Sequence, residues 1–391
     1  MMSDDLSTRV ASFAKSMNPF PAAGPEHLVI RRVEAIPYVI PLARPIAWAR
    51  GMMTDVDNVL VRVTLSDGTQ GIADAPSRPT ILGDTQKSIV AIIDDHFTPR
   101  LIGIDAFDLE AIWNILGSFG GNQVAKAAID MAVHDAQAKS LGISCVRLLG
   151  AIPRPLPVSW RLRMAPETDM LRDADEMMGK YGFRALKVKG SHEYLNDIAF
   201  LRKLRRLCGD TVSISIDFNQ SLTAHMLLQA LPALEEVDIA LIEEPLSARD
   251  AAGKSLCAGR TSIPISGDDS CFSPDDVLHE LKLGAIRAVV LKVARNGYRQ
   301  ARDIVALCRG FHLPLHSGSQ GDMHITACAA AQFACSYPSE HEHEFSTFLD
   351  ACDHICDRDL VIREGYLTLP DGPGIGLSVD EAKLAIYRVD R

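Results

Sequence analysis

The sequence predicts an α/β protein, a (β/α) barrel with a small α+β domain before it. Three observations lead there. After about residue 154, short apolar strands alternate with helical segments: "PVSWRLR", "RALKVKG", "VSISIDFNQ", "IALIEEPL", "IPISGDD", "IRAVVLKVA" and "LPLHSGS". The polar residues at their ends, Lys189, Asp217, Glu243, Asp268, Lys292 and His316, follow at intervals of 28, 26, 25, 24 and 24 residues. A βα unit repeated at so steady a length is the mark of a barrel. Before residue 154 the rhythm is antiparallel instead. A doubly wound open sheet is the alternative, and it lacks the glycine-rich phosphate loop expected after a first strand.

Residues 1–27 are polar, contain no apolar signal core, and are expected to form a loose N-terminal extension. From residue 28, "LVIRRVEAIPYVIPL" and "NVLVRVTL" alternate apolar and polar positions, and "SDG" at 66–68 supplies an Asp-Gly hairpin turn. In "NQVAKAAIDMAVHDAQAKSLG", Ala125, Ile129, Ala132 and Ala136 recur at helical spacing, and Gly142 ends the run. Residues 28–153 thus form the first domain. The barrel is expected over 154–359, and the strand-and-turn tail, about 360–391, is expected to return to the first domain.

Composition narrows the function. Of 391 residues 47% are apolar and 23% charged, enough to bury a large core. The net charge of −10 argues against nucleic acid and anionic membrane surfaces as partners. No apolar run is long enough to span a bilayer. Nine cysteines without a C-x-x-C pair read as reduced packing residues in a cytoplasmic protein.

The strand ends carry the chemistry, because all of them converge on one mouth of a barrel. Asp217, Glu243 and Asp268 end three consecutive strands. Three carboxylates in one mouth repel each other, and a hard divalent cation, Mg²⁺ with Mn²⁺ as an alternative, removes that repulsion. A helix cap is the plain reading of any one of them alone. Glu244 and Asp269 point elsewhere by alternation and read as supporting residues. Asn219 is placed to reach the metal's water shell or to bond backbone. Lys187 and Lys189 lie two apart in one strand, so both ammonium groups face the same side. Lys292 ends a strand across the mouth. Burial and a cationic neighbour lower a lysine's pKa, which would leave one of the pair a neutral base near pH 7.

Taken in order, "KVK", "DFNQ", "IEEPL", "GDDS" and "LKVARNG" resemble the enolase superfamily, and within it the muconate-lactonizing-enzyme subgroup. The resemblance runs from about residue 28 to the C-terminus. It implies a (β/α)₇β TIM-like barrel under an N-terminal α+β capping domain. It also implies metal ligands at Asp217, Glu243 and Asp268, proton-transfer lysines at Lys189 and Lys292, and Lys187 as electrostatic partner of Lys189. The implied chemistry moves a proton alpha to a substrate carboxylate through a metal-stabilised enediolate. The expected activity is muconate cycloisomerisation, on a small carboxylate substrate, in a homo-oligomer of two to eight subunits. A racemase or epimerase of an N-substituted or cyclic amino acid, or an acid dehydratase, is the alternative within the superfamily. A catalytically silent binding protein is the alternative from another class.

There are departures from the pattern. Asp268-Asp269-Ser270 stands where the subgroup usually has Asp-Glu-Ser. No Asp-x-Asp pair, which would hold a dipeptide's ammonium group, occurs around Phe345, Ser346 and Thr347. Lys292 stands where the mandelate racemase subgroup uses a histidine-aspartate pair. For substrate contact the candidates are Trp48 against a diene, Arg50 on an outer carboxylate, Asn219 and His316. An interface tryptophan, an exposed arginine and a structural histidine are the ordinary readings.

Overall fold

A computed structural model describes residues 27–49 and 51–390. All but His27 of the expected N-terminal extension lies outside the described residues. Strands β1 (Ile30–Trp48), β2 (Gly51–Leu65) and β3 (Gln70–Pro76) form an antiparallel sheet in sequential order. The Asp-Gly turn falls between β2 and β3. Gly68 has φ +88°, and the Asp67 carboxylate accepts the Thr69 N–H at 2.9 Å. The alanine-rich segment is the helix Gln123–Ser140, and Gly142 ends it at φ +68°. That helix lies so close to β3 that a Cβ on Gly71 would sit 1.9 Å from the Ala132 carbonyl oxygen, so this position admits only glycine.

A two-residue strand β4 (Leu156–Pro157) leads into the barrel strands. These are β5 (Trp160–Leu162), β6 (Ala185–Lys189), β7 (Ser213–Asp217), β8 (Leu241–Glu243), β9 (Ile265–Gly267), β10 (Ala288–Leu291) and β11 (Leu315–Ser317). They form one parallel sheet in which every strand lies beside the next in the chain. The order never reverses, so the sheet has no doubly wound switch point. Residues 343–346 fill the eighth position of the ring. Ser159 N–H donates to the His343 carbonyl at 2.9 Å, and Glu344 N–H donates to the Ser317 carbonyl at 2.9 Å. Strands β12 (Val361–Arg363) and β13 (Tyr366–Thr368) pair with β4. The end of the chain then meets β1, where Val389 N–H donates to the Pro37 carbonyl at 3.1 Å.

Register decides which side chains enter the barrel. Arg161 pairs with Lys187, Lys187 with Ser215, Lys189 with Asp217, and Asp217 with Glu243. Paired residues face the same side, so these line the interior. The alternate residues Leu186, Val188, Ile214, Ile216 and Ile242 face outward, buried under the helices. Each such fully buried aliphatic side chain contributes about 1.5–3 kcal/mol.

In the antiparallel sheet, Asp74 of β3 is completely buried. Burial raises its pKa to about 7 from an ordinary value of 3.8, partly countered by Tyr38 and Asn58. With the folded pKa above the unfolded one, this group favours the fold fully below about pH 4, and that contribution is lost as pH rises to about 7. Asp74→Asn is therefore expected to flatten the fall in unfolding free energy between these limits. Urea titrations at several pH values check it. An unchanged slope means that Asp74 is not the group responsible.

Candidate active site

The mouth of the barrel brings together every strand-end residue singled out above except His316. Lys187 is 3% exposed. Its Nζ lies 2.7 Å from both Glu243 carboxylate oxygens, 2.7 Å from Glu344 Oε1 and 3.3 Å from Asp217 Oδ2. Lys189 Nζ donates to Asp217 Oδ2 at 2.5 Å, and Lys292 Nζ to Asp268 Oδ2 at 2.6 Å. Arg295 completes the far side, with Nη1 3.0 Å from Asp268 Oδ1 and Nη2 2.8 Å from the Asp268 carbonyl oxygen.

These contacts settle a competition that the sequence leaves open. Burial disfavours the charge on Lys187, but Glu243, Glu344 and Asp217 outweigh it and hold the ammonium well above its ordinary pKa. Lys292 is raised likewise, with burial overcome by Asp268. The depression expected for one of the Lys187–Lys189 pair is thus reversed at Lys187, because it meets carboxylates at hydrogen-bond distance. Among the acids, burial raises all three, and their partners decide the outcome. Lys189 and Lys187 hold Asp217 low, and Lys292 and Arg295 hold Asp268 low. Glu243 is pushed well up by burial and by Asp217, with Lys187 only partly compensating.

The set fits a hard divalent cation. Asp217, Glu243 and Asp268 are buried oxygen donors whose mutual repulsion the lysines do not fully relieve at Glu243. Asn219 lines the same cavity, and its Oδ1 is buried without a hydrogen-bond partner. Its φ of +44°, followed by Gln220 at +66°, is a left-handed bend that places the amide beside the carboxylates. Glu244 has a supporting task. It accepts the Asp268 and Ser270 N–H groups at 2.7 and 2.9 Å and so fixes the end of β9. Asp269 accepts a bond from Gln220 Nε2 at 2.7 Å.

Above these groups lies a cavity of about 90 Å³, walled by Trp48, Met53 and Arg78 on one side and by Arg161, Lys189 and Lys292 on the other. Trp48 is thus placed against the site. Arg50 lies outside the described residues. His316 lies deeper, in a separate cavity of about 20 Å³ with Lys187 and Glu344, its Nε2 3.8 Å from Glu344 Oε1. Glu243, His316 and Glu344 offer ligand atoms within 4.8 Å of one another, but the Lys187 ammonium binds both glutamates. A second compact group, His324, His354 and Asp359, lies outside the mouth. There His354 Nδ1 accepts the Cys356 N–H at 3.1 Å, which puts the ring proton on Nε2 and leaves no free lone pair.

Three site residues escaped the sequence reading: Glu344, Arg295 and Arg161. Glu344 stands just before Phe345, Ser346 and Thr347, and Arg295 in "LKVARNG", both beside or inside stretches already noticed. Arg161 obeys the alternation that drew attention to Lys187, one strand earlier.

A barrel whose mouth carries three adjacent carboxylates flanked by lysines, under an antiparallel sheet, fits a class of metal-assisted acid–base enzymes. The comparisons make the class specific. The family described as mandelate racemase / muconate lactonizing enzyme, N-terminal domain, matches residues 31–150, and the enolase C-terminal domain-like family matches residues 169–383. The chain belongs to the enolase superfamily, in its muconate-lactonizing-enzyme subgroup. Muconate cycloisomerase 1 of Pseudomonas putida is 30% identical over 373 residues, 92% of this chain and 98% of that one. The L-Ala-D/L-Glu epimerase of Bacillus subtilis (strain 168) is 28% identical over 353 residues, 89% and 96% of the two chains. The solved muconate lactonizing enzyme of Pseudomonas fluorescens, complexed with muconolactone, superposes with a TM-score of 0.90 at 29% identity, covering 93% of this chain and all of that one. The chain is an enzyme, its relatives are isomerases, and members of the superfamily bind a divalent metal. Among the described residues no helix is long and apolar enough to cross a membrane.

The buried Lys187 yields a stability prediction. Lys187→Met leaves Glu243 and Glu344 facing each other without a cation, and removing one partner of a buried ion pair costs about 3–5 kcal/mol. Urea unfolding in the presence of a chelator is expected to show a loss of that order. An unchanged midpoint means that the carboxylates are neutral in the fold.

Proposed function

We propose that the protein is a Mg²⁺-dependent muconate cycloisomerase-like enzyme, closing cis,cis-muconate to muconolactone. The observation that carries this reading is the order of groups around the mouth. Three adjacent strand ends carry carboxylates, and Lys189 and Lys292 flank them on opposite sides. Asp217, Glu243 and Asp268 would hold the cation. Bound there, it supplies charge stabilisation for the negative charge that develops on a substrate carboxylate when the alpha carbon becomes carbanionic. Lys187 stays charged beside Glu243 and adds to that field. The remote carboxylate attacks the double bond, and Lys189 or Lys292 delivers a proton from Nζ to the alpha carbon. Trp48 covers the site and excludes water from the conjugated chain. No redox cofactor enters, because the reaction is an isomerisation.

Epimerisation of an amino-acid derivative is the second reading. Two lysines on opposite flanks can remove a proton from one face and return it to the other, and an epimerase is among the relatives. Against dipeptides stands the strand-eight segment. Its one carboxylate, Glu344, is engaged by Lys187, and Thr347 bonds Ser319 at 3.1 Å, so no acidic pair is left for an ammonium group.

Three outcomes are expected. With Mg²⁺, the purified protein is expected to abolish the ultraviolet absorbance of muconate's diene. If that absorbance persists while solvent deuterium enters an N-acyl amino acid, the epimerase reading replaces this one. Asp217→Asn, Glu243→Gln and Asp268→Asn are each expected to weaken Mg²⁺ binding in calorimetry. Lys189→Ala and Lys292→Ala are each expected to cost about 10²–10⁴-fold in rate. Near-normal turnover in both lysine variants refutes the assignment.

A further inference from the structure

Among the described residues two arginines line the cavity, and they differ in one decisive respect. The guanidinium of Arg78 is consumed by backbone. Its Nε donates to the Gln320 carbonyl at 2.6 Å, Nη1 to Ser77 at 2.6 Å and to Asp57 at 3.3 Å, and Nη2 to Gly321 at 3.1 Å. Its task is to bind the first sheet to the loop after β11. Arg161 is anchored at one end only. Its Nη2 donates to Asp350 Oδ2 at 2.8 Å, whereas Nη1 is buried without a hydrogen-bond partner. A buried N–H left unpaired on a charged group is costly, and such groups are normally satisfied by protein, water or ligand.

The charge balance around Arg161 points the same way. Arg44 pairs with Asp173 at 2.6 Å and with Asp350 at 2.8 Å. Arg161 shares Asp350, and Arg163 approaches Asp173 at 3.7 Å. Three guanidinium groups thus face two carboxylates, and this cluster, of which Arg161 lines the cavity, carries one positive charge in excess. Arg161 sits beside Lys187 in the register, two strands from Asp217. At about 4.8 Å per strand, its backbone lies roughly 10 Å across the sheet from that of Asp217, and both side chains line the interior. A short-chain diacid spans that gap, with one carboxylate at the cluster and the other on the free edge of Arg161.

We propose that Arg161 binds a second carboxylate of the substrate through its unpaired Nη1, so that the site selects dicarboxylates over monocarboxylates. This rests on the reading of the mouth as the substrate site, and it adds to that reading the residue that holds the second carboxylate. The guanidinium fork suits a carboxylate better than an ammonium would, because its planar N–H groups are held in a fixed geometry. Asp350 keeps it aimed.

The test measures binding in excess Mg²⁺, using adipate and hexanoate as unreactive probes of equal chain length. The wild-type protein is expected to bind adipate about 10- to 100-fold more tightly than hexanoate, the worth of one charged hydrogen-bonded contact. Arg161→Leu is expected to erase that preference by weakening adipate and leaving hexanoate within a few-fold. Arg161→Gln, which keeps a hydrogen bond available to Asp350, carries the test if the leucine variant does not fold, and the same loss is expected. Equal binding of the two probes by the wild type, or no binding of either, overturns the proposal. So does a preference that survives in the folded variant. Muconate turnover is scored separately. If the wild type prefers adipate yet leaves the diene absorbance unchanged, Arg161 keeps its role and the lactonisation reading falls.

Discussion

The site depends on a buried ammonium group. Lys187 lies inside the barrel with its Nζ between Glu243 and Glu344 and within 3.3 Å of Asp217. No apolar residue could stand there, since its neighbours would be unpaired acids in a medium that penalises charge. Nor could Lys187 stand without those acids. The contacts come from β8 and from the segment that closes the ring, so the lysine also ties distant strands across the barrel.

Around that centre the charges are arranged in pairs that leave each group with a definite state. Asp217 has Lys189, and Asp268 has Lys292 and Arg295. Glu243 is the exception, since it shares its one cation with Glu344 and faces Asp217 besides. A site with a surplus of negative charge at one point is prepared for a divalent cation, and a site with spare positive charge at its wall is prepared for an anion. Both imbalances occur here, at Glu243 and at Arg161. A small carboxylate substrate that bridges a metal and a guanidinium would correct the two together.

The cover over the mouth has a different physical character. Trp48, Met53 and Ile46 form an apolar patch from the first sheet, and Arg78 fastens that sheet to the loop at 320–321 through two backbone bonds, to Gln320 and Gly321. A low-dielectric lid strengthens the electrostatic contacts beneath it. Barrels of this kind vary their chemistry chiefly through the loops and covers at the mouth.

The sequence by itself determined the architecture and the reaction class. Strand ends spaced 24 to 28 residues apart leave little but a barrel, and side-chain alternation alone places Lys187 and Lys189 on one side. Asp217, Glu243 and Asp268 were legible for the same reason, because a strand's last inward residue must reach the mouth. What alternation conveys is direction, not company. Whether Lys187 is neutral or charged depends on the acids it meets across the barrel, one of which, Glu344, comes 157 residues later. The same holds for the arginines. Arg78 and Arg161 are alike in sequence, yet one spends its donors on backbone carbonyls and the other keeps an amino group unpaired. His316 shares the interior face with the strand-end groups and still lies below them, because β11 places it one layer deeper. Partners of this kind are chosen by long-range packing, so only the tertiary structure decides them.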